Sequence, residues 1–354
     1  MKVLAINPGA SSTKIGVFED EQELWTESIR HTPEELAPFQ KLTEQTDYRR
    51  ALVEKALAAH SIAIGDLAAI VGRGGAFKPL AGGTYRVNLS MLEDVDAGNV
   101  QADHASNLGC LIAYALAEPA GLPAYIVDPV SVDEFDDVSR VSGLPDLPRR
   151  ALSHALNIRA MAHRASKELG IPMEKLSLVV AHLGTGISIA ALRDGRIVDV
   201  NNANDGGPIA PQRAGSLPIT GLAKLAMSGK YDAGQIKDLL TKKGGMLAHL
   251  GTDNVTEVSQ RAAAGDAKAD LVLRAMAYTA AKEIGAYAAA LGGKYDAIVI
   301  TGGMAHVKPF VELLMGRISF LGKVLHYPGE DELAALVGGT LRVLRNEEAE
   351  KVYQ

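Results

Sequence analysis

Val3-Leu4-Ala5-Ile6-Asn7-Pro8-Gly9-Ala10-Ser11-Ser12-Thr13-Lys14-Ile15-Gly16-Val17-Phe18 joins two apolar runs through a loop of small residues. Residues 3–6 are a short apolar run, the signature of a buried strand. A cluster of turn formers follows, and strand character resumes at 14–18. Glu19-Asp20-Glu21-Gln22 supplies the next turn, and residues 24–29 a third strand. No helix follows the glycine-containing loop directly. Walker and dinucleotide loops lead from a strand into a helix, so this small-residue loop is of another kind. The pattern then returns. Residues 178–181 form a strand, His182-Leu183-Gly184-Thr185-Gly186 a turn, 187–192 a second strand, Arg193-Asp194-Gly195 a turn, and 196–200 a third strand. Two copies predict an internal duplication, since a solenoid needs more repeats at shorter spacing.

Outward from these units the chain alternates helices and strands. Helical spacing covers 47–60, and the apolar run 68–71 enters Gly72-Arg73-Gly74-Gly75. A long small-residue helix is expected over 99–118, then a strand at 124–127 ending at Asp128-Pro129. A helix over 149–170 has Gly170 as its stop signal and Pro172 just beyond. Another spans 268–291, closed by Gly292-Gly293. The strand 297–300 runs into Thr301-Gly302-Gly303, and 333–344 is the last helix. Such alternation means α/β architecture. A chain of 354 residues suggests two domains. They are expected at 1–160, with the terminal segment 333–354 available to complete it, and at 161–332.

Composition narrows the function. Lys+Arg number 36 against 42 Asp+Glu, a net charge of -6, which argues against a nucleic-acid partner. Cys110 is the single cysteine, so an intrachain disulfide framework and any multi-cysteine metal cluster are excluded. That fits a reducing compartment. No apolar run reaches the roughly 18 residues that cross a bilayer, and no cleavable leader is visible. The expectation is a cytoplasmic protein with no membrane partner.

Three small-residue loops, each at the carboxyl end of an apolar strand, carry the chemistry. Open α/β sheets bind ligands at that edge. In the first, Ser11, Ser12 and Lys14 offer hydroxyls and a point charge, and small residues let backbone N–H groups reach phosphate oxygens. In the second, His182, Gly184, Thr185 and Gly186 repeat the arrangement. Gly302 and Gly303 make the third, suited to lie under a base or ribose. Each loop alone also fits an ordinary hairpin. Arg73 and Arg213, both beside small residues, are candidate transition-state cations. Asp128 ends a strand and Asn7 ends another, positions from which oxygen donors can hold the water shell of Mg²⁺. Glu330-Asp331-Glu332 is a second acidic cluster, which the favourable charge of a helix N-terminus also explains. His104, His154 and His182 each lie near an element end, without metal-motif spacing.

Taken together, Asn7 to Lys14, Val180 to Gly186, Arg213-Ala214-Gly215-Ser216 and Thr301-Gly302-Gly303-Met304 resemble the acetate/butyrate kinase family, in order and over nearly the whole chain. The likeness is closer to the butyrate kinase branch, including branched-chain fatty acid kinases. It implies the duplicated actin-like ATPase fold of sugar kinases and heat-shock chaperones, ribonuclease H-like, with two domains around a nucleotide cleft. It implies reversible phosphate transfer between ATP and a short fatty acid, with Mg²⁺ as cofactor and a homodimer or higher homo-oligomer. By resemblance, Asn7 lies near metal and phosphates. Ser11, Ser12 and Lys14 belong to the first phosphate loop, and His182, Gly184 and Gly186 to the second. Arg213 and His154 contact the transferring phosphoryl group. Asp128 is the central carboxylate, Asp331 or Glu332 a distal metal-linked acid, and His104 a histidine near the substrate.

Acetate kinases carry a serine where this chain has Ala10 and an asparagine where it has Thr185. Of an arginine and histidine before the double glycine only Arg73 is present, as candidate holder of the substrate carboxylate. These departures, and the shorter chain, favour butyrate over acetate. Isobutyrate, acetate or propionate are alternative acyl groups. An ATP-binding sensor without kinase activity, or a sugar or amino-sugar kinase, are alternatives of other classes. A sugar kinase would need a base near its acceptor hydroxyl. A carboxylate acceptor needs none, because an aliphatic acid of pKa about 4 to 5 is already ionised at neutral pH.

Overall fold

The apolar runs pair as the duplication predicts. The computed structural model, which describes residues 1–354, begins with β1 (Lys2–Pro8), β2 (Ser12–Glu19) and β3 (Gln22–Arg30) as an antiparallel meander. β4 (Ala69–Arg73) lies parallel to β1 on its other side. β5 (Thr84–Arg86) and β6 (Ala124–Val127) follow, β6 parallel to β4 and β5 antiparallel to β6. The second meander is β7 (Leu178–Leu183), β8 (Ile187–Arg193) and β9 (Arg196–Val200). β10 (Ala297–Gly302) is parallel to β7, and β11 (Val324–Pro328) parallel to β10. β12 (Lys351–Val352) pairs with β5 and closes the first sheet.

The sheets run β12-β5-β6-β4-β1-β2-β3 and β11-β10-β7-β8-β9. The five strands β6-β4-β1-β2-β3 therefore repeat the order and directions of the second sheet. The copies agree in detail. The register slips at Val17/Phe18 in β2 and at Ala191/Leu192 in β8. Three residues after Val17 and Ala191 stand Asp20 and Asp194, both in the left-handed region at φ 53° and 51°. Aspartate tolerates that conformation better than most residues, and a bulge bends the strand into the turn.

The central strands are apolar along their length because helices cover them, whereas β3 is an edge with Glu23, Glu27 and Arg30 turned outward. One core gathers Leu4, Ile6, Val17, Val53, Leu57, Ile70, Leu108, Ile112 and Ile126. The other gathers Val179, Ala181, Ile189, Val272, Met276, Ile284, Ile298 and Phe310.

The chain divides into Met1–Asp133 with Asp331–Gln354, and Glu134–Glu330. The break thus lies ahead of the expected 160/161. Residues 134–160 join the second unit through side-chain bonds. Glu134 Oε2 accepts from Ile197 N at 2.8 Å, and Arg159, on the helix Ala155–Leu169, donates to Gly195 O at 2.8 Å. Two helices start later than their composition suggests. The one expected over 99–118 is Leu108–Ala117, because Gln101 N donates to Ala76 O and Asn107 is engaged with Ala76 N and Ala102 O. The one expected over 149–170 begins at Ala155, since Arg149 turns away to Asp199, and it ends at Gly170 with φ 66°. No helix is long and apolar enough to cross a membrane.

Candidate active site

In the first unit the β1–β2 pairing sets Asn7 opposite Lys14, so the two side chains share a face of the sheet. The loop between the strands has all its carbonyls fastened. Ser12 O accepts from Gly9 N at 2.7 Å and Ser11 O from His31 N at 2.9 Å. Gly9 O and Ala10 O accept from the Arg49 guanidinium at 2.9 and 3.3 Å. The amides of Ala10 and Ser11, both exposed, donate to no protein group. Carbonyls inward and N–H groups outward make an anion-binding nest. Lys14 extends from β2 with no carboxylate beside it.

Arg73, at the end of β4, pairs with Glu332 through Nη1, which also reaches Asn7 Oδ1 at 3.4 Å, and Asn7 Nδ2 donates to the other Glu332 oxygen. Its Nε and Nη2 meet no protein acceptor, leaving the paired donors that suit a carboxylate. Asp331 instead accepts from Ala334 N at 3.0 Å and caps the last helix, Glu332–Leu344. The structure thereby separates two acids that the sequence left equivalent. Asp128 follows β6 at φ 38° and 3% exposed, its Oδ1 accepting from Gly83 N at 2.7 Å. A non-glycine residue at positive φ in a buried strand end is held there by its surroundings. His104 is exposed, with Nδ1 against Ser106 N and Oγ.

The second unit carries another set. His182, 1% exposed at the end of β7, stacks on His154 with ring centroids 4.0 Å apart. Asn157 Oδ1 lies 3.0 Å from His182 Nδ1, Glu330 3.3 Å from its Nε2, and Ser188 Oγ 2.9 Å from His154 Nδ1. Arg213 lies against Gly186, where a Cβ would come within 2.5 Å of the guanidinium carbon. Nothing in the protein accepts a hydrogen bond from Arg213 or pairs with its charge. Burial alone acts on it and holds its pKa below the ordinary range, though an arginine stays charged. Gly184 and Thr185 form the turn beside it, Gly184 N donating to Gly186 O at 3.2 Å. Gly302 ends β10 tightly packed, whereas Gly303 is exposed with open space where a Cβ would stand.

Asn157, Ser188, Glu330 and Arg49 are partners of these groups that no sequence motif marks as such. Asn157 lies in the first turn of the helix Ala155–Leu169, and its partner is His182 on β7. A cavity of about 250 Å³ lined by Arg149, Asn202, Glu283 and Tyr287 contains none of the expected site residues. No three acidic, histidine or cysteine side chains converge on one point. Mg²⁺ does not need such a cage, since it keeps most of its waters and takes one or two carboxylates plus phosphates. Asp128 and Glu332 fit that donor set.

Residues 148–343 match the acetokinase family model. The chain is 49% identical over 352 residues to a protein named probable butyrate kinase 2 from Caldanaerobacter subterraneus subsp. tengcongensis, covering 99% of both. It is 47% identical over 354 residues to butyrate kinase 2 of Clostridium acetobutylicum, covering 100% of this chain and 99% of that one. The crystal structure of Porphyromonas gingivalis acetate kinase superposes with a TM-score of 0.80 at 21% identity, covering 97% of this chain and 99% of that one. The fold is the duplicated actin-like ATPase fold.

Proposed function

The chain belongs to the acetokinase family, and on that premise we propose that it transfers phosphate reversibly between ATP and butyrate, giving ADP and butanoyl phosphate. The observation that carries the acyl group is the near-full-length identity to proteins named butyrate kinases. Both reactants are anions and the acceptor carboxylate is ionised at neutral pH, so no base is required. Catalysis is positioning plus neutralisation of charge. Arg213, a half-buried cation without a partner, takes the transferring phosphoryl group together with His154. His182, Gly184, Thr185 and Gly186 hold nucleotide phosphates, and Gly302 and Gly303 lie under the ribose or base. In the first unit, the amides of Ala10 and Ser11 with Ser11, Ser12 and Lys14 bind phosphate. Arg73 takes the acyl carboxylate on its free Nε and Nη2, with His104 nearby in role. Asp128, Asn7 and Glu332 would hold the water shell of Mg²⁺, and Asp331 supports that set by fixing the helix start. When bound, Mg²⁺ supplies neutralisation of phosphate charge.

The test is acyl hydroxamate formation with ATP and Mg²⁺ across acetate, propionate, butyrate, isobutyrate and valerate. Each buried CH₂ contributes about 0.8 kcal/mol, so butyrate should exceed acetate in kcat/KM by roughly fifteenfold. Acetate equal to or better than butyrate overturns the acyl assignment. No hydroxamate with any acid overturns the activity.

A further inference from the structure

Main-chain pairing fastens Ser11 O and Ser12 O in the first loop, but not Gly9 O or Ala10 O. Arg49, on the helix Thr46–Ala59, is 0% exposed beneath that loop. Its Nη1 donates to Gly9 O at 2.9 Å, Ser12 O at 3.2 Å and Thr13 Oγ1 at 3.0 Å. Its Nη2 donates to Ala10 O at 3.3 Å and Gln45 Oε1 at 2.9 Å, and Nε to the same Gln45 oxygen at 3.1 Å. All its acceptors are neutral, and no carboxylate reaches it. His31 closes the other side, its Nε2 2.8 Å from Thr13 Oγ1, with Tyr48 Oη 3.4 Å from Nδ1. Burial pulls the pKa of both Arg49 and His31 down, and the arginine charge further disfavours a second cation on His31.

A buried charge without a counter-charge is destabilising even when its donors are satisfied. A loop could be closed more cheaply by a neutral donor such as glutamine. The arginine has two properties a neutral donor lacks. Its planar fork reaches three carbonyls of one loop at once, and its positive charge lies directly behind two outward N–H groups.

We infer that Arg49 is a positioning residue for phosphate: it holds the carbonyls of Gly9, Ala10 and Ser12 inward, presents the Ala10 and Ser11 amides outward, and adds its unmatched charge to the attraction of that nest for an anion. This rests on the reading of the first loop as phosphate-binding. Arg49 itself touches no ligand. The docking phosphate is the counter-charge that the folded protein otherwise lacks. Lysine keeps the charge but cannot bridge three carbonyls and Gln45 together.

The experiment compares wild type with Arg49→Lys, Arg49→Ala and Lys14→Ala, in steady-state kinetics with MgATP and butyrate varied separately. Lost or bent bonds to a charged group predict a fall in kcat/KM for MgATP of about 10- to 100-fold in Arg49→Lys. KM for butyrate should move less than about twofold, whereas a merely smaller folded fraction would lower kcat and leave both KM values unchanged. Guanidinium ion added to Arg49→Ala should restore part of the loss. If Lys14→Ala is impaired and Arg49→Lys keeps wild-type MgATP kinetics, the inference is overturned and the loop reading survives. If neither variant affects MgATP kinetics, the loop reading fails and the inference with it. Should the Arg49 variants not fold, Thr13→Val removes one acceptor and leaves the arginine in place. It should weaken MgATP kinetics in the same direction, and unchanged kinetics there would equally overturn the inference.

Discussion

Arg213 lies against the one residue of the second loop that cannot carry a side chain without displacing it. Its guanidinium has no hydrogen-bond acceptor and no carboxylate in the protein, so its partly buried charge is uncompensated by any protein group. Arg213→Ala is therefore predicted to lower kcat by roughly 10² to 10⁴, the range of transition-state arginines, with KM for ATP changed little. The melting temperature should not fall, because no satisfied interaction is removed. Kinetics and thermal melts together check this, and near-normal kcat in a folded variant would sink the role. Arg213 was legible in the sequence because small residues surround it. Asn157, in the first turn of the helix Ala155–Leu169, becomes a partner only when that helix packs on β7 and meets His182. Ser188 becomes a partner only when β7 and β8 pair His182 with Ser188. Arg49 carries no local signal at all, since an arginine four residues after Gln45 is ordinary helix composition until the helix packs under a hairpin. The triplet Glu330-Asp331-Glu332 reads as one acidic cluster. In the structure its members meet His182, the helix start and Arg73 respectively.

At the scale of elements, the end of β10 separates two adjacent glycines by physical role. Gly302 has φ 91° and bridges Gly329, and a Cβ there would come within 2.4 Å of Leu183 O. Gly302→Ala combines backbone strain with overpacking against a main chain, and is predicted to cost about 2–5 kcal/mol. Because Leu183 follows His182 in β7, the displacement should also perturb the stacked histidines. Gly303→Ala meets nothing and needs no unusual φ, so its melting temperature should match wild type. If the ribose or base rests there, its KM for ATP rises several-fold, by the order of one overpacked methyl group. Melts and ATP kinetics on the pair check both. Equal melting temperatures, or an unchanged KM in Gly303→Ala, would refute the respective half. The long strands were visible to pattern, and β6 falls on the expected residues. β5 and β12, of three and two residues, are too short for periodicity and exist through their neighbours. β11 alternates buried Leu325 and Tyr327 with exposed His326 and Pro328, a period of two that the sequence carries. The early start expected for the helix Leu108–Ala117 shows composition losing to specific polar bonds, those of Gln101 and Asn107.

At the scale of the whole molecule, the last 24 residues, Asp331–Gln354, belong to the first unit although 197 residues of the second unit, Glu134–Glu330, separate them from it in sequence. The helix Glu332–Leu344 buries Leu333, Leu336, Val337 and Leu341, each at most 1% exposed. It lies so close to β6 that a Cβ on Gly339 would come within 2.4 Å of Val127, and Thr84 Oγ1 donates to Gly339 O at 3.1 Å. β12 then pairs with β5, and Tyr353 is buried with its hydroxyl donating to Asp94 at 2.9 Å. At about 1.5–3 kcal/mol per buried side chain, the four aliphatic residues alone account for about 6–12 kcal/mol. That is comparable to the whole stability of a domain, about 5–15 kcal/mol. A chain ending at Glu330 is therefore predicted to lose the fold of its first unit, not merely to weaken it. The second unit keeps its own sheet and core, so its strands should stay folded. Amide hydrogen exchange separates the two outcomes. Protection should vanish in β1 and β4 and persist in β7, β8 and β10. The same truncation removes the Glu332 carboxylate from Arg73 and Asn7. Full protection of β1 and β4 in the shortened chain would mean that the terminal helix is an accessory to the first core, and would refute its place as the element that completes it.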